Sequence, residues 1–321
     1  MKSIGVIWQA AALWLACSAA TAAPECIVPS KPAGAMDLTC KLVRAGWNAS
    51  VQEDSQRMRI SYVPGGVGAV AWTALAAQRR SAPDTLVAFS GGSLLNLAQG
   101  KFGKSGTGDV RWVAALGTDY GMVAVRADSS IHTLGDLVKA LKKHPERFLI
   151  GMGGTIGGQD WIKMAMIARL GGVNPKSLRY VALEGGGEAF TAMQAGHVQV
   201  VSGDASEATM MAKAGGVRVL AVLSERRLPG SLANVPTARE QGFDVVWPII
   251  RGVWMGQQVS DENYRKWVAS FDRMMADPQF AKARAQYGLY PFALTGDALT
   301  AYVNSAVSAY GKQAAQLGLM R

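Results

Sequence analysis

The sequence predicts an α/β protein of two lobes around a cleft, and three observations predict it. Short apolar runs alternate with helical periods from residue 26 to about residue 223. Glycine-rich turns stand between run and helix each time. From Asp261 onward the chain reads as mostly helical. Strand, loop and helix in repetition imply parallel sheets with helices on both faces.

Taken in order, CIVP (26–29) reads as a first strand and SKPAGAMD (30–37) as the loop after it. Asp37 is placed to cap a helix from Leu38 to about Trp47, with Leu38/Leu42 and Val43/Trp47 at four-residue spacing. RISYV (59–63) is a second strand. PGGVG turns the chain into a helix bearing Val70, Ala71, Ala74 and Leu75 on one face. TLVAFS (85–90) is a third strand, followed by the turn GGSLLN.

A second series starts at GMVAV (121–125). Thr133 precedes the amphipathic LGDLVKALKKH. FLIGMG (148–153) leads through GTIGGQD to a helix with Trp161, Met164, Ala165 and Ala168. LRYVAL (178–183) leads through EGGGE to FTAMQAG. VQVVS (198–202) leads through GDASE to a further helix. VRVLAVL (217–223) is apolar throughout, as in a sheet covered on both sides.

Composition narrows the class of function. The 321 residues carry 33 basic and 23 acidic side chains, a formal charge of +10. The basic residues are scattered and no basic stripe interleaves with aromatics, so nucleic acid is not an expected partner. Lys2, an apolar run over residues 4–16 and the small residues 18–23 have the layout of a secretory signal peptide. The run is shorter than the ~20 residues that span a bilayer. Cleavage fits after Ala22 or Ala23, and Pro24 directly after the second site favours the first. A lipoprotein cut before Cys17 is the alternative, with Trp14 where a small aliphatic residue is needed. Loss of the segment leaves Cys26 and Cys40, an even pair in an oxidising compartment. They form either a disulfide or two buried thiols.

The candidate chemistry sits in the glycine loops. SKPAGAMD (30–37), GGSLLN (91–96), GTIGGQD (154–160) and EGGGE (184–188) each follow a strand and precede a helix; SGDASE (202–207) is a fifth, weaker case. In a parallel sheet such loops open at one edge. Helix N-termini offer unpaired N–H groups and about half a positive charge, and glycine lets an anion approach them. A single loop of this kind is ordinary turn chemistry; four in one basic chain point to a carboxylate or phosphate guest. Lys31 and Arg251 are candidates to add point charges. Asp37, Asp160 and Asp204 read as caps or backbone ties, and Ser90, Ser93, Asn96, Thr155 and Gln159 as hydrogen-bonding side chains. His132, His144 and His197 lack metal-ligand spacing. No nucleophile elbow or phosphate-binding lysine loop is present, and GGVGAVA (65–71) is a poor dinucleotide fingerprint.

CIVPSKPAGAMDLTCK (26–41), VPGGVGAVA (63–71), FSGGSLLNLAQGKFG (89–103), GTDYGMVAVRADS (117–129), IGGQDW (156–161), YVALEGGGE (180–188), VQVVSGD (198–204), NVPTAREQG (234–242) and WPIIRG (247–252) resemble the substrate-binding receptors of tripartite tricarboxylate transporters, the TctC or Bug family. The paired cysteines resemble its tricarboxylate-binding branch. The resemblance implies a periplasmic-binding-protein-like (type II) Venus flytrap. Behind a signal peptide (1–22), lobe one comprises 23–124 plus 248–321 and lobe two 125–247.

It implies a guest carboxylate held chiefly by backbone amides of the first loop, at Ser30, Lys31, Ala33, Gly34, Ala35, Met36 and Asp37. Thr155, Ile156, Gly157, Gln159 and Asp160 face that loop. Ser90, Gly92, Ser93, Asn96, Gly186, Asp204 and Arg251 complete the walls. The implied partners are a small organic anion, citrate or a related tricarboxylate, and the membrane subunits of the transporter. A sensor kinase is a further candidate partner. No cofactor, metal or catalysis is expected. A receptor for another small carboxylate with a signalling role, or an exported enzyme, are the alternatives. Ala33 and Ala35 stand where the first loop of many relatives has glycine, which matters only if a positive φ is needed there.

Overall fold

In the computed structural model, residues 23–212, 215–316 and 319 are described; the expected signal segment, 1–22, lies outside them. In chain order the elements are β1 (Glu25–Val28), α1 (Ala35–Ser50), β2 (Arg59–Tyr62), α2 (Ala69–Gln78), β3 (Thr85–Ser90), α3 (Gly91–Ala98), β4 (Val110–Arg126), α4 (Leu134–Lys143), β5 (Leu149–Gly153) and α5 (Gln159–Leu170). There follow β6 (Arg179–Leu183), α6 (Gly186–Gln194), β7 (Val200–Asp204), α7 (Ala205–Ala212), β8 (Val217–Leu223), β9 (Pro248–Gly256), α8 (Asp261–Ala276), α9 (Pro278–Gln286), β10 (Leu294–Thr295) and α10 (Gly296–Gln316). Among them no helix is long and apolar enough to cross a membrane.

The strands run in the order β2-β1-β3-β9-β4-β7-β5-β6, with β8 and β10 also on β4. The long β4 joins the two halves. Its residues Val110–Tyr120 pair with β9, while Gly121–Val125 pair with β7 on one side and Gly121–Arg126 with β8 on the other. The pairing thus changes partner at Tyr120/Gly121. The expected all-parallel sheets are mixed instead. β2-β1-β3 and β7-β5-β6 are parallel, whereas β4, β8, β9 and β10 run antiparallel to their neighbours. The stretch 110–120 gave no strand signal because Gly117 and Asp119 interrupt its apolar run. Gly117 is required there by packing: a Cβ would lie 3.0 Å from the Tyr290 carbonyl.

Alternation along each strand sends neighbours to opposite layers. Cys26, Val28, Leu86 and Ala88 join the core beneath α1, α8 and α9, while Ile27, Val87 and Phe89 join Trp72, Trp112 and Leu299 on the other face. In the second half Val123 and Val125 face α4 and α5, and Met122 and Ala124 face α6 and α7. This disposition fixes the cleft. The carboxyl ends of β1 and β3 point toward those of β5, β6 and β7, because Ser90 is paired with Arg251 and Asp204 with Gly121 next to the crossing. Loops after those strands therefore face one another.

Two helix starts differ from expectation. α1 begins at Ala35, with Gly34 as an extended N-cap, so Asp37 lies inside the first turn. GGSLLN is the opening of α3 itself rather than a turn before it. The two cysteines form a disulfide, with Cα atoms 5.6 Å apart and both residues fully buried. It ties β1 to α1 directly behind the first loop. Closing a loop of this length is worth about 3 kcal/mol in the chain-entropy model. Denatured, unreduced protein of residues 23–321 is expected to show no titratable thiol, and reduction to lower the melting temperature by roughly 5–10 °C. One or two free thiols before reduction would contradict the bridge.

Candidate functional site

Five helices begin around one small cavity between the halves, of about 60 Å³. Pro29, Ser30, Gly34, Ala35 and Met36 come from the start of α1, and Ser90, Gly92 and Asn96 from α3. Across the gap stand Gly153, Gly154, Thr155, Gly158, Gln159 and Asp160 from the start of α5, then Glu184, Gly185 and Gly186 from α6. Asp204 and Glu207 at the start of α7, with Arg251 of β9, close the floor. Each helix presents first-turn amides that have no acceptor within their own helix.

The first loop is held from behind. Asp37 is fully buried; its Oδ2 accepts from the Ala33 amide at 2.7 Å and from Lys41 Nζ, and its Oδ1 from the Tyr62 hydroxyl at 2.9 Å. Asp37 is thus a tie, as expected of it, and not part of the wall. Ala33 has φ of 67°, a left-handed conformation that costs an alanine about 1–2 kcal/mol. Ala35 is helical. Of the two alanines in glycine's place, only Ala33 is strained.

Some expected residues stand outside the cavity wall. Lys31 is half-exposed and ion-paired to Glu188 at 2.9 Å across the cleft mouth. Ser93 accepts from the Ser90 amide at 3.2 Å and fixes the start of α3. Ile156 is 63% exposed. The Gly157 carbonyl accepts from Gln99 Nε2 at 2.8 Å, which pins the α5 loop to the opposite half.

Arg251 is in the wall, but its charge is already engaged. Its guanidinium is 1% exposed and donates through Nη2 to Asp119 (2.8 Å) and to Asp204. Its Nε, also buried, has no partner among the described residues. Behind the wall Lys163 is wholly buried and ion-paired to Asp160 and Asp204, each at 2.8 Å, and donates to the Gly203 carbonyl. Asp160 ties its own loop by accepting from the Gly153 amide at 2.9 Å. Gln159 Nε2 reaches Asp204 at 3.2 Å, while its Oε1 is buried and unpartnered. Gly92 makes room for it, since a Cβ there would lie 3.0 Å from that oxygen.

Burial and crowding set the protonation states. Burial raises Asp160 to about 6 despite Lys163 beside it. Burial also pushes Asp204 up, but Lys163 and Arg251 together outweigh it and hold Asp204 below the usual carboxylate range. Burial raises Asp119. Glu207 is raised to about 8, first by burial and then by the charges of Asp204 and Asp160.

The model of the tripartite tricarboxylate transporter family receptor (TctC) matches residues 63–319, well over half of the chain. The chain belongs to this family. It is a solute receptor and not an enzyme. Several solved structures share its fold. The periplasmic binding protein BugD is 19% identical, with a TM-score of 0.81, covering 92% of this chain and 98% of its own. The malate-bound MatC of Rhodopseudomonas palustris is 20% identical, with a TM-score of 0.76 over 90% and 98%. An adipate-bound R. palustris protein is 17% identical, with a TM-score of 0.81 over 92% and 97%. No curated protein matches the sequence.

In this receptor, sequence reasoning gave no role to Lys163 and Asp119, and it singled out the loops holding Glu184 and Glu207 without naming those two side chains. Glu207 stood in plain view as the last residue of SGDASE. Lys163 follows Asp160 by three residues on one helix, a spacing that puts both on one face. Asp119 had no local signal, because its partners Arg251 and Ser206 are distant in sequence. Lys163→Met would leave Asp160 and Asp204 short of countercharge. Loss of one buried partner costs about 3–5 kcal/mol. The melting temperature at pH 7 is expected to fall by roughly 10 °C. The loss should be smaller near pH 5, where Asp160, already raised to about 6, takes a proton. Equal losses at both pH values would contradict this charge assignment.

Proposed function

We propose that this receptor is exported by its N-terminal signal segment to the periplasm. There it captures a small organic anion of two or three carboxylates, citrate-like in kind, and delivers it to the membrane subunits of a tripartite transporter. The observation that carries the reading is the convergence of the N-termini of α1, α3, α5, α6 and α7 on one small cavity. Their partial positive charges favour anionic groups, and amides with no helical acceptor supply the hydrogen bonds. Polar atoms left buried without partners, Arg251 Nε and Gln159 Oε1, are consistent with a guest or its waters completing the set. Relatives of the same fold hold malate and adipate, both carboxylates. The surplus of basic over acidic side chains, from which the signal segment removes only Lys2, draws such anions from a distance.

Closure is the second part of the reading. Contacts already span the cleft: Ala35 N–H to Glu207 at 2.8 Å, Gln99 to Gly157, and Lys31 to Glu188. A guest that touches both halves adds to these contacts and shifts an open–closed equilibrium. Signalling to a sensor kinase would use the same closed form.

Isothermal titration with citrate, tricarballylate, malate, succinate and adipate is expected to give saturable binding for at least one acid, weakening as salt is raised. Heat from none of them would end the reading. Gly187→Val tests closure. A Cβ at Gly187 would lie 2.6 Å from the Ala33 carbonyl oxygen across the gap, and backbone cannot swing aside. Affinity is expected to fall by at least about tenfold, as the population competent to close shrinks. Unchanged affinity would show that the halves need not meet there.

A further inference from the structure

Glu207 is a buried acidic group of the cleft that the anion reading leaves unexplained. It is the third residue of α7, 3% exposed. One oxygen accepts from the Ala35 amide at 2.8 Å, at the start of α1, and the other from its own Asp204 amide at 3.3 Å. It is pressed against the start of α6 so closely that a Cβ on Gly186 would lie 1.8 Å from Oε2. The carboxyl therefore sits where three helix N-termini meet, in the space a guest's carboxylate must approach.

No cation is paired with it among the described residues. Arg251 of β9 is shared by Asp119 of β4 and Asp204 of β7. Lys163 of α5 is shared by Asp160 and Asp204. On α1, Asp37 is taken by Tyr62, Lys41 and the Ala33 amide. On α6, Glu188 holds Lys31 and the Glu184 amide, and Glu184 keeps one buried oxygen unpartnered. Three buried carboxylates already outnumber two cations. An ionised Glu207 beside an anionic guest would add two uncompensated charges in low dielectric, which desolvation strongly disfavours. A neutral Glu207 removes one and gains a donor.

We propose that Glu207 is the residue that selects a carboxylate guest: in its neutral form its O–H donates to a carboxylate oxygen of the guest, while its other oxygen keeps the Ala35 amide. Binding then takes up one proton wherever the free receptor has Glu207 ionised. The hydrogen bond from a carboxyl to a carboxylate is of the short, strong kind. The inference rests on the carboxylate reading above. Burial and the neighbouring charges of Asp204 and Asp160 raise the Glu207 pKa to about 8, which places the transition within reach of experiment. The sign follows from linkage. Below about 8 Glu207 is already protonated and affinity is flat. Above it each binding event must fetch a proton, so affinity falls as pH rises.

The test is calorimetry with citrate, malate, succinate and adipate from about pH 7 to about pH 10, where all four are already ionised, in two buffers of different ionisation enthalpy. The expected result is a Kd that rises toward tenfold per pH unit above about pH 8, with proton uptake approaching one. In Glu207→Gln, with folding checked by circular dichroism, both the slope and the uptake should vanish. The wild-type slope and uptake stand as a test on their own if that variant does not fold. A flat wild-type Kd without proton uptake overturns the inference and leaves the carboxylate reading intact. Proton release and tighter binding at high pH overturns it, since Glu207 would then bind the guest in its ionised form. Persistence of the slope in folded Glu207→Gln moves the proton elsewhere and overturns the assignment. Absence of binding by all four acids at every pH overturns both readings.

Discussion

A chain of buried charges, Asp119–Arg251–Asp204–Lys163–Asp160, runs beneath the cleft and determines the placement of everything above it. Its members come from β4, β9, β7 and α5, of which β4 joins the two halves. Such pairs seldom add net stability, because desolvation offsets most of the attraction. What they supply here is position. Asp119 also accepts from the Ser206 amide and hydroxyl, which sets the start of α7. Asp160 holds the Gly153 amide, which sets the loop before α5. Asp204 ends β7 and takes Gln159. Two of the five helix N-termini, those of α5 and α7, are thus aimed by one connected set of ion pairs.

The sequence revealed those parts of the fold whose signals are local. VRVLAVL coincides with β8 and TLVAFS with β3, because apolar runs bounded by turns carry their own evidence of burial. The family of glycine loops also gave most of the cavity wall, from Ser30 and Gly34 to Gln159, Gly186 and Asp204. The first half of β4 was not legible, since Gly117 and Asp119 serve contacts with Tyr290 and Arg251 that only the tertiary structure brings near. The same holds for charge. Arg251 read as a free cation for the guest because Asp119 and Asp204, 132 and 47 residues away, cannot be seen as its partners in one dimension.

Ala33 shows how a local departure is absorbed. A left-handed alanine is strained, yet its amide is tied to Asp37, whose carboxylate is itself anchored by Tyr62 and Lys41. The neighbouring disulfide fixes the strand and helix on either side of the loop. Strain of about 1–2 kcal/mol persists where the surroundings over-determine the backbone. The loop keeps its shape without the glycine, and Gly34 and Ala35 still meet the cavity.

The remaining tension is between a positive rim and an acidic floor. Helix N-termini act over a turn or so of helix and decay quickly, whereas unpaired buried carboxylates repel at any distance inside low dielectric. A site built only of amides would accept many anions with little discrimination. A floor whose charges are almost balanced, and whose surplus group is a carboxyl raised into the neutral range, makes acceptance conditional on what the guest brings. Small anions that bring no hydrogen-bond acceptor within reach of Glu207 leave its buried O–H unmatched, and an unmatched buried donor costs about 1–3 kcal/mol. Discrimination in this receptor therefore arises less from the number of positive groups than from Glu207, an acidic group at the meeting of three helix N-termini that has no cation to hold.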